Sequence, residues 1–152
     1  MVAMDHLLAA LDEAFDRKSW HGTNLRGSIR GLTAEQAAWR PCDGRHSIQE
    51  LVIHAAYWKY VVRRKLTGAK RGSFPETGSN WFARLNPDPA AWKRDVALLV
   101  SEHKLLRQAI AGLTPSDLRD REKLRLIRGV TAHDLYHAGQ IQLLKRLLPQ
   151  SI

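Results

Sequence analysis

The sequence predicts an all-α fold: a four-helix bundle with a long loop between its second and third long helices. Three observations carry this. Apolar residues recur every three or four positions through long stretches. No run alternates between apolar and polar as a strand facing a core would. The long stretches also carry helix start and stop signals at their ends. At 152 residues the chain suits one domain, 1–152, with one core.

The first helix is expected over about Ala3–Asp16, with Leu7, Leu8, Leu11 and Phe15 on one stripe. "RKSWHG" breaks it, and a second piece runs through "TNLRGSIRGL". "TAEQAAW" opens on Thr33 with Gln36 three residues on, a capping box. "RPCDGRH" is a loop by its Pro, Asp and Gly. Ser47 and Glu50 form a second capping box, starting a helix that runs to Leu66 or Thr67 and stops at Gly68. The polar connection "GAKRGSFPETGSNWFARLNPDP" exceeds ordinary loop lengths, which marks it as functional or packed over a site. Asp88 then caps a helix with Pro89 in its first turn and an end near Gly112. Thr114-Pro115 restarts the chain, and the last helix begins between Asp120 and Leu126 and reaches Leu148, before Pro149.

Composition narrows the function classes. The only cysteine is Cys42, so no internal disulfide can form and a reducing compartment is expected. Cys42 lies in a loop with no His and carboxylate set around it, so it is not read as a nucleophile. The opening "MVAMDHLLAALDEAF" lacks a basic n-region, and no apolar run approaches the ~20 residues of a bilayer span. A cytoplasmic protein without a membrane partner is the expectation. The net charge of +9 invites a nucleic-acid reading. Its basic clusters, however, lie at a helix end (Arg63 to Arg71) or are interrupted by Asp120 and Glu122, and no nucleic-acid motif can be placed. Attraction of a small anionic ligand accounts for the charge as well.

The histidines are more informative. In "GVTAHDLYHAGQI", His133 and His137 lie four apart, within a seam of Leu126, Val130, Ile141, Leu144 and Leu148. Both imidazoles should therefore look into the bundle. Leu51, His54, Trp58 and Val61 step the same way, which turns His54 inward too. Each buried ring nitrogen left without a partner costs about 1–3 kcal/mol. One divalent metal ion would satisfy all three, and helix bundles build metal sites this way. A zinc-protease motif is the rival, but Asp134 stands where its glutamate belongs, and no His, Asp or Glu follows His137. His103, in the seam of Leu99, Leu106 and Ile110, is the rival third ligand; a lone core histidine is more often simply hydrogen-bonded. His21 and His46 read as loop or capping residues that could line a pocket mouth, and His6 as exposed. Asp134 and Gln140 flank the pair and are read as candidate hydrogen-bond partners that would orient its imidazoles, although Asp134 lies off the seam, where solvent is the expectation. Gly139 is read as allowing close approach of a helix or substrate, or as tolerated at ~1 kcal/mol. Trp20, Trp58 and Trp81 are read as core or pocket wall.

The segments "WHGTNLRGSIRGLTAEQAAWRP", "HSIQELVIHAAYWKYVVRRKLTG", "SNWF" and "GVTAHDLYHAGQI" together resemble the DinB-like superfamily of bacterial proteins, which includes bacillithiol- and mycothiol-dependent enzymes. The resemblance covers nearly the whole chain, with "ELVIH" and the last segment its most specific parts. It implies a divalent metal held by a histidine on the second long helix and an H-x3-H pair on the last, here His54, His133 and His137. It also implies a low-molecular-weight thiol as a further cofactor or substrate, and a homodimer.

Three imidazoles would leave the metal an open position, as in catalytic sites. An imidazole-rich set suits zinc, nickel, iron or copper about equally well; zinc or nickel is the expectation, with iron or copper the alternatives. Two function classes follow: a metal-dependent enzyme of thiol-transferase or hydrolase type, and a non-catalytic, stress-related protein that binds metal or ligand. The reaction and the substrate are not legible.

Overall fold

The computed structural model describes residues 2–152, and helix is the only regular structure among them. Four long helices form the bundle: α1 (Val2–Phe15), α4 (Ile48–Thr67), α5 (Pro89–Ala111) and α6 (Arg121–Leu147). The expected broken first helix resolves into an intact α1 and two short helices, α2 (Leu25–Ile29) and α3 (Ala34–Ala38). A 3-10 turn at Asp117–Arg119 leads into α6. α4 packs against α5 and α6, α1 against α5 and α6, and α2 lies on α6.

The ends follow the local chemistry. The hydroxyls of Thr33 and Ser47 accept from the backbone N–H groups of Gln36 and Glu50, whose side chains reach back to the cap N–H, so both capping boxes are complete. Gly68 ends α4 at φ 72°, a left-handed cap that costs glycine nothing. Asp88 caps α5 with Pro89 in the first turn, and Asp120 caps α6.

The core is divided. Phe15, Leu25, Ile48, Leu99 and Ile141 form one apolar cluster, and Leu11, Val62, Leu106, Ile127 and Val130 another. Between them along α4, α5 and α6 lies a polar layer. The Lys59 ammonium donates to Asp134 Oδ2 at 2.5 Å and to His103 Nδ1 at 3.3 Å, with Lys59 and Asp134 both fully buried. The His103 ring stacks on Phe15 at 3.6 Å, over which Lys59 also sits. Burial, then the neighbouring Lys59 and Arg107 charges, push His103 down to about 3, so it is a neutral acceptor. Burial raises the Asp134 carboxyl, opposed by the attraction of Lys59. The expectation that Asp134 faces solvent is overturned: the buried face of α6 is broader than the seam, with Asp134 in line with the buried Ile127 and Ile141, and the buried carboxylate is held by a buried ammonium.

The long loop, 68–88, is fastened down rather than loose. Arg84 donates to both Asp95 oxygens, at 2.8 and 3.0 Å, and to Glu76 at 2.8 Å. Its backbone N–H donates to Glu50 Oε1 at 3.0 Å. The other partners of Glu50 are the Arg40 guanidinium at 2.6 and 2.8 Å, the Ser47 N–H and His46. Burial alone would raise the Glu50 carboxyl, but these donors hold it down at about 2. One carboxylate thus joins the start of α4 to the end of the loop.

Two outcomes follow from these contacts. We expect Lys59→Met alone to cost about 3 kcal/mol or more, and a Lys59→Met/Asp134→Leu double variant to recover most of that, by urea denaturation. Because the Glu50 carboxyl titrates near 2 in the fold against 4.5 as a free group, its stabilisation is complete above the higher value and drains away as pH falls towards the lower. Glu50→Gln should remove about 2 kcal/mol at neutral pH and flatten the pH dependence of stability in that window.

Candidate metal centre

The three histidines singled out by facing meet at one point. His54 comes from the second turn of α4, and His133 and His137 from consecutive turns of α6. His133 Nε2 lies 3.2 Å from His54 Nε2 and 2.9 Å from His137 Nε2. These rings form a group of candidate ligands that includes no Asp, Glu or Cys, and His54 and His137 are buried.

The outer nitrogens decide where the protons are. His54 Nδ1 lies 2.7 Å from the Asn80 carbonyl oxygen, which can only accept, so Nδ1 carries the proton and Nε2 is a bare lone pair. His137 Nδ1 donates in the same way to Gln140 Oε1 at 2.7 Å, leaving its Nε2 bare. His133 Nδ1 is buried without a hydrogen-bond partner. Burial lowers all three imidazoles, with the Asn80 bond opposing for His54. Burial and then the neighbouring imidazoles and Lys59 take His133 to about 3; burial, opposed by the Gln140 bond, takes His137 to about 4. The rings are therefore neutral at neutral pH. A neutral His133 has at most one Nε2 proton for two facing lone pairs, so at least one nitrogen–nitrogen contact goes without a proton. A cation satisfies all three. Ligands of one ion at ~2.1 Å in tetrahedral array stand ~3.4 Å apart, close to the observed separations. The donor set fits a divalent metal.

The loop supplies what the helices do not. Asn80 is in the left-handed region at φ 67°, which asparagine tolerates better than most residues. In that conformation its carbonyl accepts a hydrogen bond from His54 Nδ1 while its side-chain oxygen accepts from Trp58 Nε1 at 2.9 Å. The next residue, Trp81, lies between two imidazoles, stacked on His54 at 3.8 Å and on His46 at 3.5 Å. Sequence reasoning took Trp81 only as a wall and did not single out Asn80. The signal available was their position in a loop too long to be idle.

The remaining candidates fall elsewhere. His103 is the hydrogen-bonded core histidine beside Lys59. His46 joins Trp81 and Glu50 at the edge of a recess that also touches His137. His21 pairs with Ser19 in an exposed loop, and His6 and Cys42 are exposed. Trp20 is 99 % exposed, against the expectation of a core or pocket role: the break after α1 carries it outward. No neighbouring helix comes close at Gly139, since a Cβ there would meet no atom within 4 Å.

No helix among the described residues is long and apolar enough to cross a membrane. No curated protein and no solved structure matches the chain. The family model of the DinB superfamily does match, over residues 17–141. That span includes all three converging histidines together with Asn80 and Trp81, and the chain belongs to the DinB superfamily.

Proposed function

We propose that His54, His133 and His137 hold one divalent metal ion through their Nε2 atoms. We further propose that the protein is a metal-dependent enzyme acting on a small molecule, a low-molecular-weight thiol or its conjugate. The observation that carries this reading is the meeting of three neutral Nε2 atoms, two of them stripped of protons by acceptors at Nδ1. An all-imidazole set suits zinc, nickel, iron and copper, and zinc or nickel is the ion we propose. Neutral ligands leave the full positive charge of the ion on the site, and three of them leave a position for substrate. Bound there, the ion supplies Lewis acidity that activates a thiol or a water as nucleophile.

The chain's own residues have distinct tasks. Asn80 and Gln140 set the tautomers and aim the lone pairs of His54 and His137. Trp81, stacked on His54, covers one ring face against water. Trp58, held by Asn80, stands edge-on to His54 and His133 and walls the site on the α4 side.

Protein purified without a histidine tag should contain about one equivalent of zinc or nickel by elemental analysis. His54→Ala or His137→Ala should lower the affinity at least ~100-fold. Absence of stoichiometric metal, or His54→Ala binding as tightly as the natural chain, overturns the assignment. Turnover of bacillithiol, mycothiol or glutathione with an electrophilic acceptor should be abolished by chelation and by His137→Ala. Activity indifferent to both would refute the enzyme reading, and metal without turnover would leave a binding protein.

Asn80 offers a finer check. Asn80→Ala should weaken metal binding by ~10–100-fold, because alanine resists the left-handed backbone that presents the carbonyl. Asn80→Gly keeps that backbone and should lose less, as measured by competition with a chromogenic chelator.

A further inference from the structure

Two recesses adjoin the imidazole cluster along the seam between α4 and α6. One, of about 250 Å³, touches His137; the other, of about 350 Å³, touches His133. The larger one has a direction. Its lining advances from Trp58 to Lys65 on α4 and retreats from His133 to Glu122 on α6, as antiparallel helices require. Trp58 and His133 stand at its inner end, and Val61, Val62, Leu126 and Val130 form an apolar floor. Seven residues of helix separate Trp58 from Lys65, which is about 10 Å.

The outer end is charged. Lys65 and Arg125 stand there with Glu122. The Arg125–Glu122 pair is long, at 3.4 Å, and both side chains are well exposed, so it holds the guanidinium weakly. The rim keeps a net positive charge from two cations and one carboxylate. Gly129 adds room in the middle: it lines the recess, and a Cβ built on it meets no atom within 4 Å.

We propose that this recess is a substrate groove for an elongated molecule with an apolar body and a terminal carboxylate. The body lies on the valine and leucine floor, and the carboxylate is held by Lys65 and the fork of Arg125. The opposite end then reaches the imidazoles, about 10 Å away. The role of that inner end rests on the metal reading above; the anion site and the apolar floor do not.

Octanoate, of comparable length, is the probe, titrated calorimetrically into the full chain after chelator treatment and again after loading with zinc. Both forms should bind it. Lys65→Ser/Arg125→Ser should weaken binding at least tenfold, and octylamine should bind at least tenfold more weakly than octanoate. Gly129→Leu, which improves helix propensity while filling the open space, should abolish octanoate binding and leave zinc stoichiometry intact. If octanoate binds only the zinc form, and equally well in Lys65→Ser/Arg125→Ser, its carboxylate sits at the metal; the groove is then wrong and the metal reading stands. If the chain takes up no zinc yet binds octanoate with the expected losses in the variants, the groove stands and the metal reading falls. Failure of the folded natural chain to bind octanoate in either form, or octylamine binding as tightly, overturns the proposal.

Discussion

The contact between the Lys59 ammonium and the Asp134 carboxylate, with neither side chain exposed, is the constraint on which the site depends. An isolated charge at that depth would cost several kcal/mol, so the two must meet. Their meeting sets how α4 and α6 are rolled about their axes. Asp134 directly follows His133, and Lys59 lies little more than a turn beyond His54. In the same packing His54 Nε2 and His133 Nε2 stand 3.2 Å apart. An apolar pair could slide by fractions of an ångström at small cost. A buried ion pair with His103 as a further acceptor has far less latitude.

Much of this was legible in the sequence, for reasons tied to particular residues. The starts of α4 and α5 rest on short-range chemistry, Ser47 with Glu50 and Asp88 with Pro89, which needs nothing from the rest of the chain. The facing of His54, His133 and His137 follows from helical spacing alone. Lys59 and Asp134 escaped the same logic because a periodicity argument counts every lysine and aspartate as outward. Only knowledge of the partner, 75 residues away, reverses that. The Trp81 stack was invisible for a related reason. It joins a loop to two helical or near-helical imidazoles, and loops carry no period. Trp20 shows the opposite failure: a large apolar ring was assumed buried where the chain simply turns it out.

The loop and the bundle are mechanically continuous. Glu50 both completes the capping box of α4 and accepts from Arg84, and Arg84 is clamped in turn on Asp95 of α5. A disturbance at the start of α4 is therefore transmitted to the segment that carries Asn80. Gln49 strengthens the same junction by donating to Asp95 at 2.8 Å. The segment is irregular in backbone yet well fixed in position, a combination that suits residues required to present a carbonyl and an indole at set places.

His54 illustrates what such fixing achieves. Its ring is gripped at Nδ1 by the Asn80 carbonyl and covered on a face by Trp81, so its side-chain rotation is surrendered as the chain folds. The entropy of immobilising that ligand is thus charged to folding, where a whole core offsets it, and not to the arrival of whatever the ring later binds. A guest at this nitrogen meets a host already arranged, and its affinity reports the quality of the bond with little subtracted for ordering the protein.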